Sequence, residues 1–154
     1  MANGSVFVDS NVLLHYSYQE VGSDPLDIKR VKHKLLSRFR QENKRLWING
    51  QVIREFWRSA SLLQMQGRFL ASEEITQTLQ RAVAAMHLAN ETPAVRDQLL
   101  TLLQKYDVRG IAVHDANIVA TMLAHDIGSV CTLDAGFERY RRLITIVSPL
   151  TSTA

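Results

Sequence analysis

A chain of 154 residues with 46% hydrophobic and 21% charged residues fits one soluble globular domain and leaves no room for a disordered or low-complexity class. No apolar run reaches the roughly 18 residues that a membrane span needs, and the opening Met-Ala-Asn-Gly-Ser has neither the basic nor the apolar region of a signal peptide. The net charge of +3 conceals a basic block, with eight of the 18 Lys and Arg lying between Lys29 and Arg45 against the lone acid Glu42.

Outside that block 10 basic residues face 14 acidic ones, so one positive segment sits on an otherwise acidic chain. Such asymmetry points to an anionic partner, although a solvated helix face is the commoner origin of a charge run. Cys131 is the single cysteine, which excludes an internal disulfide and a cysteine-based zinc site and makes a reducing cytoplasm the expected compartment. No membrane association is expected.

In chain order, Val6-Phe7-Val8 is a continuous apolar run that reads as a strand buried on both faces. It runs directly into Asp9. Ser10 and Asn11 suit the N-cap of a helix through Val12, Leu13 and Leu14. Asp9 is thus either a cap for that helix or a functional carboxylate at a strand end. Asp24-Pro25 opens a second helix over about 24–42, with Ile28, Val31, Leu35 and Phe39 as its apolar stripe and the basic residues on its other faces. Leu46-Trp47-Ile48 is a second strand.

A helix is expected from about Gln51 to Gln66, closed by Gly67, with Val52, Phe56, Ser59, Ala60 and Leu63 inward and Glu55 on the flank of that stripe. Ser72-Glu73-Glu74 opens the next helix, acidic where the helix dipole favours it. Ala85–Ala89 reads as a short strand, with helix as the rival assignment. Another helix carries Val95, Leu99, Leu102, Leu103 and Tyr106. The stretch from Ile111 then leads into a helix ending near Gly128, with Asp115 inward in its first turn. Val130–Leu133 forms a fourth strand that runs into Asp134, a short helix carries Phe137 and Tyr140, and Leu143–Val147 closes the pattern.

Alternating strands and helices imply an α/β fold: a central parallel sheet of four to five strands flanked by helices on both faces, in one domain over residues 1–150 with a polar tail at 151–154. In that geometry strand C-termini and the following helix N-termini share one edge of the sheet. Asp9 and Asp134 end strands, and Glu55 and Asp115 lie in opening helix turns, so all four converge there. Packed carboxylates repel unless a cation sits among them. Oxygen-only ligation favours a hard ion, Mg²⁺ with Mn²⁺ as substitute. Such an ion can activate a water for attack on phosphorus.

The segments Val8-Asp9-Ser10-Asn11-Val12, Gln51-Val52-Ile53-Arg54-Glu55-Phe56, His114-Asp115-Ala116-Asn117-Ile118 and Thr132-Leu133-Asp134-Ala135-Gly136-Phe137 occur in the order and spacing of one family. At these residues the chain resembles the PIN-domain ribonucleases, and among them the VapC toxins of prokaryotic toxin–antitoxin pairs. The resemblance covers essentially the whole chain. It implies a Mg²⁺-dependent endoribonuclease with Asp9, Glu55, Asp115 and Asp134 as its acidic quartet, and supporting polar roles for Asn11 and Thr132. It also implies an RNA substrate, a homodimer, and a VapB-type antitoxin whose C-terminal segment blocks the acidic pocket. Ser10 stands where Thr is commoner, and Asn117 where some members carry a further acid.

Lys29, Arg30, Lys32 and Arg54 are the candidate contacts to RNA or antitoxin. His114 is read as structural or exposed, Trp47 and Trp57 as core, and Cys131 as an inert buried thiol. A haloacid-dehalogenase-type phosphatase would need an acid at Asn11. A receiver-type phosphoacceptor would need a lysine after its phosphorylated strand, and the last lysine is Lys105. The alternative from another class is a catalytically idle PIN-like module that binds RNA or a protein, whose mark would be a lost acid; none is lost.

Overall fold

The computed structural model describes residues 2–18 and 36–148. Five strands form one parallel sheet: β1 (Ala2–Val8), β2 (Arg45–Ile48), β5 (His87–Leu88), β6 (Ile127–Cys131) and β7 (Thr145–Val147), in the order β5-β2-β1-β6-β7. The buried run Val6-Phe7-Val8 makes β1 the central strand, paired on both edges. The helices are α1 (Ser10–Ser17), α2 over residues 36–41, α3 (Gly50–Ser61), α4 (Ser72–Val83), α5 (Pro93–Lys105) and α6 (Val113–Ala124).

The connections from β1 to β2 and from β2 to β5 step along the sheet in one direction, whereas the connection from β5 to β6 returns past β1. Right-handed crossovers then place α1, α3 and α4 on one face and α5 and α6 on the other. The observed packing agrees: α1, α3 and α4 pack on one another, and α5 packs on α6. The reversal makes the C-terminal ends of β1 and β6 the switch point of the sheet, where doubly wound folds open a crevice.

The core runs through Phe7, Val8, Val12, Leu13, Leu36, Phe39, Val52, Phe56, Val119, Met122, Val130 and Phe137. After β6 the chain makes a 3₁₀ segment, Ala135–Tyr140, pinned by the buried rings of Phe137 and Tyr140. Removing a ring such as Phe137 from water contributes about 1.5–3 kcal/mol, enough to fix the loop that carries Asp134.

Several expectations need correction. The helix that opens at Gly50 ends at Ser61, not Gln66. Residues 64–69 instead form a small antiparallel hairpin, β3 (Gln64–Met65) and β4 (Arg68–Phe69), turned through Gln66 and Gly67 at φ 54° and 78°. Positive φ at both turn positions suits a two-residue hairpin whose second residue is glycine. Trp57 faces outward and is 36% exposed, against the expected core role. Trp47 is half-buried in β2 against the His87 ring, at a centroid distance of 4.8 Å. The short strand at 85–89 forms, as β5, and Cys131 is a buried free thiol. Of the basic helix, Lys29, Arg30 and Lys32 lie outside the described residues. Among the described residues no helix is long and apolar enough to cross a membrane.

Candidate active site

Asp9 follows β1 directly and does two things at once. Its Oδ1 accepts a 2.8 Å hydrogen bond from the Ser10 N–H, which makes it the N-cap of α1. Its Oδ2 accepts from the Thr132 hydroxyl at 2.7 Å. That hydroxyl in turn accepts from the Asp134 N–H at 3.0 Å, so one threonine after β6 sets both the first acid and the backbone of the last. Asn11, in the first turn of α1, closes the same junction by accepting from the Leu133 N–H at 3.3 Å. Asn11 and Thr132 thus both bridge the end of β1 and the loop after β6.

Glu55 reaches the site from the second turn of α3. Asn49 caps that helix, its side chain accepting from the Val52 N–H at 3.0 Å, and so sets the helix start directly after β2. Ser10 donates to Glu55 Oε2 at 2.9 Å, and Gln51 donates to Oε1 at 2.8 Å. Gln51 is buried, one helical turn before Glu55, and its other contacts cross to the opposite side of the sheet. Its amide nitrogen also donates to the His114 carbonyl at 3.1 Å, and its oxygen accepts from Asn117 at 2.8 Å. Asn117 donates as well to Glu91 at 3.3 Å. The Asn that replaces an acid is therefore part of the frame around Glu55. Sequence reasoning missed Gln51 as a holder of Glu55; its spacing of one turn was the available signal.

Asp115 projects from the first turn of α6, half-buried, and its carboxyl is hydrogen-bonded to that of Asp134. Two carboxyl groups in such contact need a proton or a cation between them. Burial first, then Asp134 and Asp9, the carboxyl–carboxyl hydrogen bond and Glu55 push Asp115 up to about 7. Asp9 is pushed up to about 6, chiefly by burial; its bonds from Thr132 and Ser10 oppose the rise, and Glu55 and Asp134 add to it. The four acids therefore share one electrostatic environment.

Gly136 makes the approach of Asp115 and Asp134 possible. It donates to Asp134 Oδ1 at 2.8 Å, and a Cβ there would lie 2.5 Å from Asp115 Oδ2 and 3.1 Å from Asp134 Oδ1. Among the described residues no Lys or Arg pairs with any of the four acids. No three His, Cys, Asp or Glu side chains among them form a ready-made metal cage. An oxygen-only cluster, uncompensated by any basic side chain among the described residues and holding protons at near-neutral pH, fits a hard divalent cation.

Beside Glu55 opens a cleft of about 870 Å³, lined in part by Ser10, Gln51, Arg54, Arg58, His114 and Ile111. Arg54 and Arg58 are exposed, one turn apart on α3, and bring positive charge to its wall. His114 is exposed, and its backbone carbonyl accepts from Gln51.

The PIN domain family model matches residues 6–143. No curated protein sequence matches the chain. Solved structures of similar fold include VapBC2 from Rickettsia felis bound to a DNA fragment from their promoter, with 16% identity, a TM-score of 0.62 and coverage of 94% of this chain and 98% of that one. FitAcB from Neisseria gonorrhoeae shows 17% identity, a TM-score of 0.59 and coverage of 95% and 99%. Mycobacterium tuberculosis VapC20, a Sarcin-Ricin loop cleaving toxin, shows 17% identity, a TM-score of 0.58 and coverage of 88% and 94%. With its acids gathered at the sheet's switch point and the family pattern running from β1 to the end of the 3₁₀ segment, this chain belongs to the PIN domain family.

Proposed function

We propose that the protein is a Mg²⁺-dependent endoribonuclease, with Mn²⁺ able to substitute, and that it is the toxin of a toxin–antitoxin pair. The observation that carries this reading is the junction of Asp9, Glu55, Asp115 and Asp134, with no basic partner among the described residues, next to a cleft walled by Arg54 and Arg58. Asp9, Asp115, Asp134 and Glu55 would hold the ion. When bound, it would supply an acidified water and positive charge against a phosphodiester.

The chain's own residues prepare that chemistry. Thr132 and the Ser10 N–H occupy one lone pair on each Asp9 oxygen and fix its orientation. Ser10 and Gln51 do the same for Glu55. Arg54 and Arg58 offer planar donors for the phosphates of an RNA strand lying in the cleft. Asn117 adds no carboxylate, so the charge available for ions is that of the quartet.

The toxin assignment rests on the fold shared with VapBC2, FitAcB and VapC20. By the same likeness the partner is a VapB-type antitoxin whose C-terminal segment covers the acidic pocket, the toxin is a homodimer, and the compartment is the cytoplasm.

The test is cleavage of RNA by the purified protein with and without EDTA, alongside Asp9→Asn. Activity silenced by EDTA, restored by Mg²⁺ or Mn²⁺, and absent in a folded Asp9→Asn variant is the expected outcome. Chelator-resistant cleavage, or cleavage by Asp9→Asn, would overturn the reading.

A further inference from the structure

A second groove, of about 610 Å³, lies between the C-terminal end of α5 and the end of the 3₁₀ segment. It is lined by Lys105, Tyr106, Glu138, Arg139, Arg141, Arg142 and Leu143, and shares no residue with the Glu55 cleft. Four cations face one acid there. All four are exposed, and none forms an ion pair among the described residues, whereas Arg68, Arg96 and Arg109 each hold a carboxylate. Two of the groove's cations are held in place without being neutralised. Lys105 sits over the Tyr106 ring and Arg139 over the Tyr140 ring, each 5.7 Å from the centroid, and Arg139 also donates to the Tyr106 carbonyl.

The groove lies at the far end of the 3₁₀ segment from Asp134. The 3₁₀ segment that begins beside Asp134 ends at Tyr140, and at roughly 2 Å of rise per residue it spans about 12 Å, or three to four nucleotides at the roughly 3.4 Å stacked spacing. Tyr140, whose buried ring ends that segment, packs against the groove's Tyr106 at a centroid distance of 4.9 Å. Unpaired guanidinium groups suit phosphate oxygens, which they grip through two parallel N–H donors.

We propose that the groove of Lys105, Arg139, Arg141 and Arg142 binds the phosphate backbone of single-stranded RNA a few nucleotides from the bond held at the acid cluster. This rests on the nuclease reading for the identity of the polyanion. A strand crossing the quartet meets repulsion from the acids. The groove supplies compensating attraction beyond them, and Arg54 and Arg58 supply it beside Glu55.

The experiment measures binding of a short labelled single-stranded RNA by fluorescence anisotropy across a salt series in EDTA, for the wild type and for R141A/R142A. Both side chains are exposed and outside the core, so the thermal midpoint checks that the variant folds. Losing two phosphate contacts should weaken binding about tenfold at low salt and make the slope of log K against log salt shallower by about 1.4. An unchanged affinity and slope would overturn the proposal. So would a loss seen only with polyglutamate, which would assign the groove to an acidic protein. Cleavage in Mn²⁺ separates the two readings: a wild type that binds RNA through these arginines but never cuts it removes the nuclease and leaves the groove. A wild type that cuts RNA, with R141A/R142A binding and cutting equally well, removes the groove and leaves the nuclease.

Discussion

The Thr132 hydroxyl and Asp9 Oδ2 are joined by a 2.7 Å hydrogen bond across 123 residues of sequence. It ties the end of the central strand to the loop after β6, and the Thr132 hydroxyl oxygen also accepts from the Asp134 N–H at 3.0 Å. Asp9, Glu55 and Asp134 each take their direction in this way from neutral polar groups.

Thr132→Val keeps the shape and deletes that hydroxyl. A buried carboxylate oxygen and a backbone N–H lose their partner, so unfolding in urea should show a loss of about 1–3 kcal/mol. The lost bond is one that lowers the pKa of Asp9, so Asp9 should rise beyond about 6. The acid limb of the pH–activity profile should therefore move to higher pH, and Thr132→Ser should restore it.

The metal-free protein should lose stability as pH rises through the range from about 4 to 7. An unfolded Asp titrates near 3.8, while Asp9 and Asp115 in the fold titrate at about 6 and about 7. In that window the folded state binds more protons than the unfolded one, and rising pH favours unfolding. In EDTA the thermal midpoint should be higher at about pH 5 than at about pH 8. Asp115→Asn should flatten that dependence and raise the midpoint at the alkaline end while abolishing cleavage.

Gly136→Ala should separate folding from ion binding. The new Cβ would meet the tip of Asp115 at 2.5 Å, and that carboxylate can swing aside, so the midpoint should barely move. The pair Asp115 and Asp134 would be parted, and calorimetric titration should show Mn²⁺ affinity reduced by about 10–100-fold.

Gln51→Leu should leave Glu55 Oε1, the His114 carbonyl and the Asn117 amide short of a partner. Steady-state kinetics on a short RNA should show kcat reduced by about tenfold or more, with KM little changed, because Gln51 orients Glu55 and is itself buried. An unaltered kcat would show that Ser10 alone suffices to aim Glu55.

Much of this site was legible in the chain because strand ends and first helical turns are readable locally. An apolar run stopping at Asp9, and Glu55 one turn into a helix, needed no tertiary knowledge. What escaped depends on long-range contact. Asp9 caps α1 through one oxygen and turns the other to Thr132 at the acid junction, so the cap reading does not exclude the functional one. Gln51 reads as an ordinary helix residue until α6 is packed beside it. The helix stopping at Ser61 escaped because Gln66 carries no signal of positive φ, and Gly67 alone was read as a terminator. Trp57 lies at the margin of an apolar stripe, where spacing does not decide between core and surface.

The position of Asp9 has a consequence for timing during synthesis. Its tether, Thr132, leaves the ribosome more than a hundred residues after it, and so does Asp134, the partner of Asp115. A nascent chain lacking β6 carries Asp9 and Glu55 but cannot assemble the junction. Assembly of the four acids is therefore one late step, completed only when β6 takes its place beside β1.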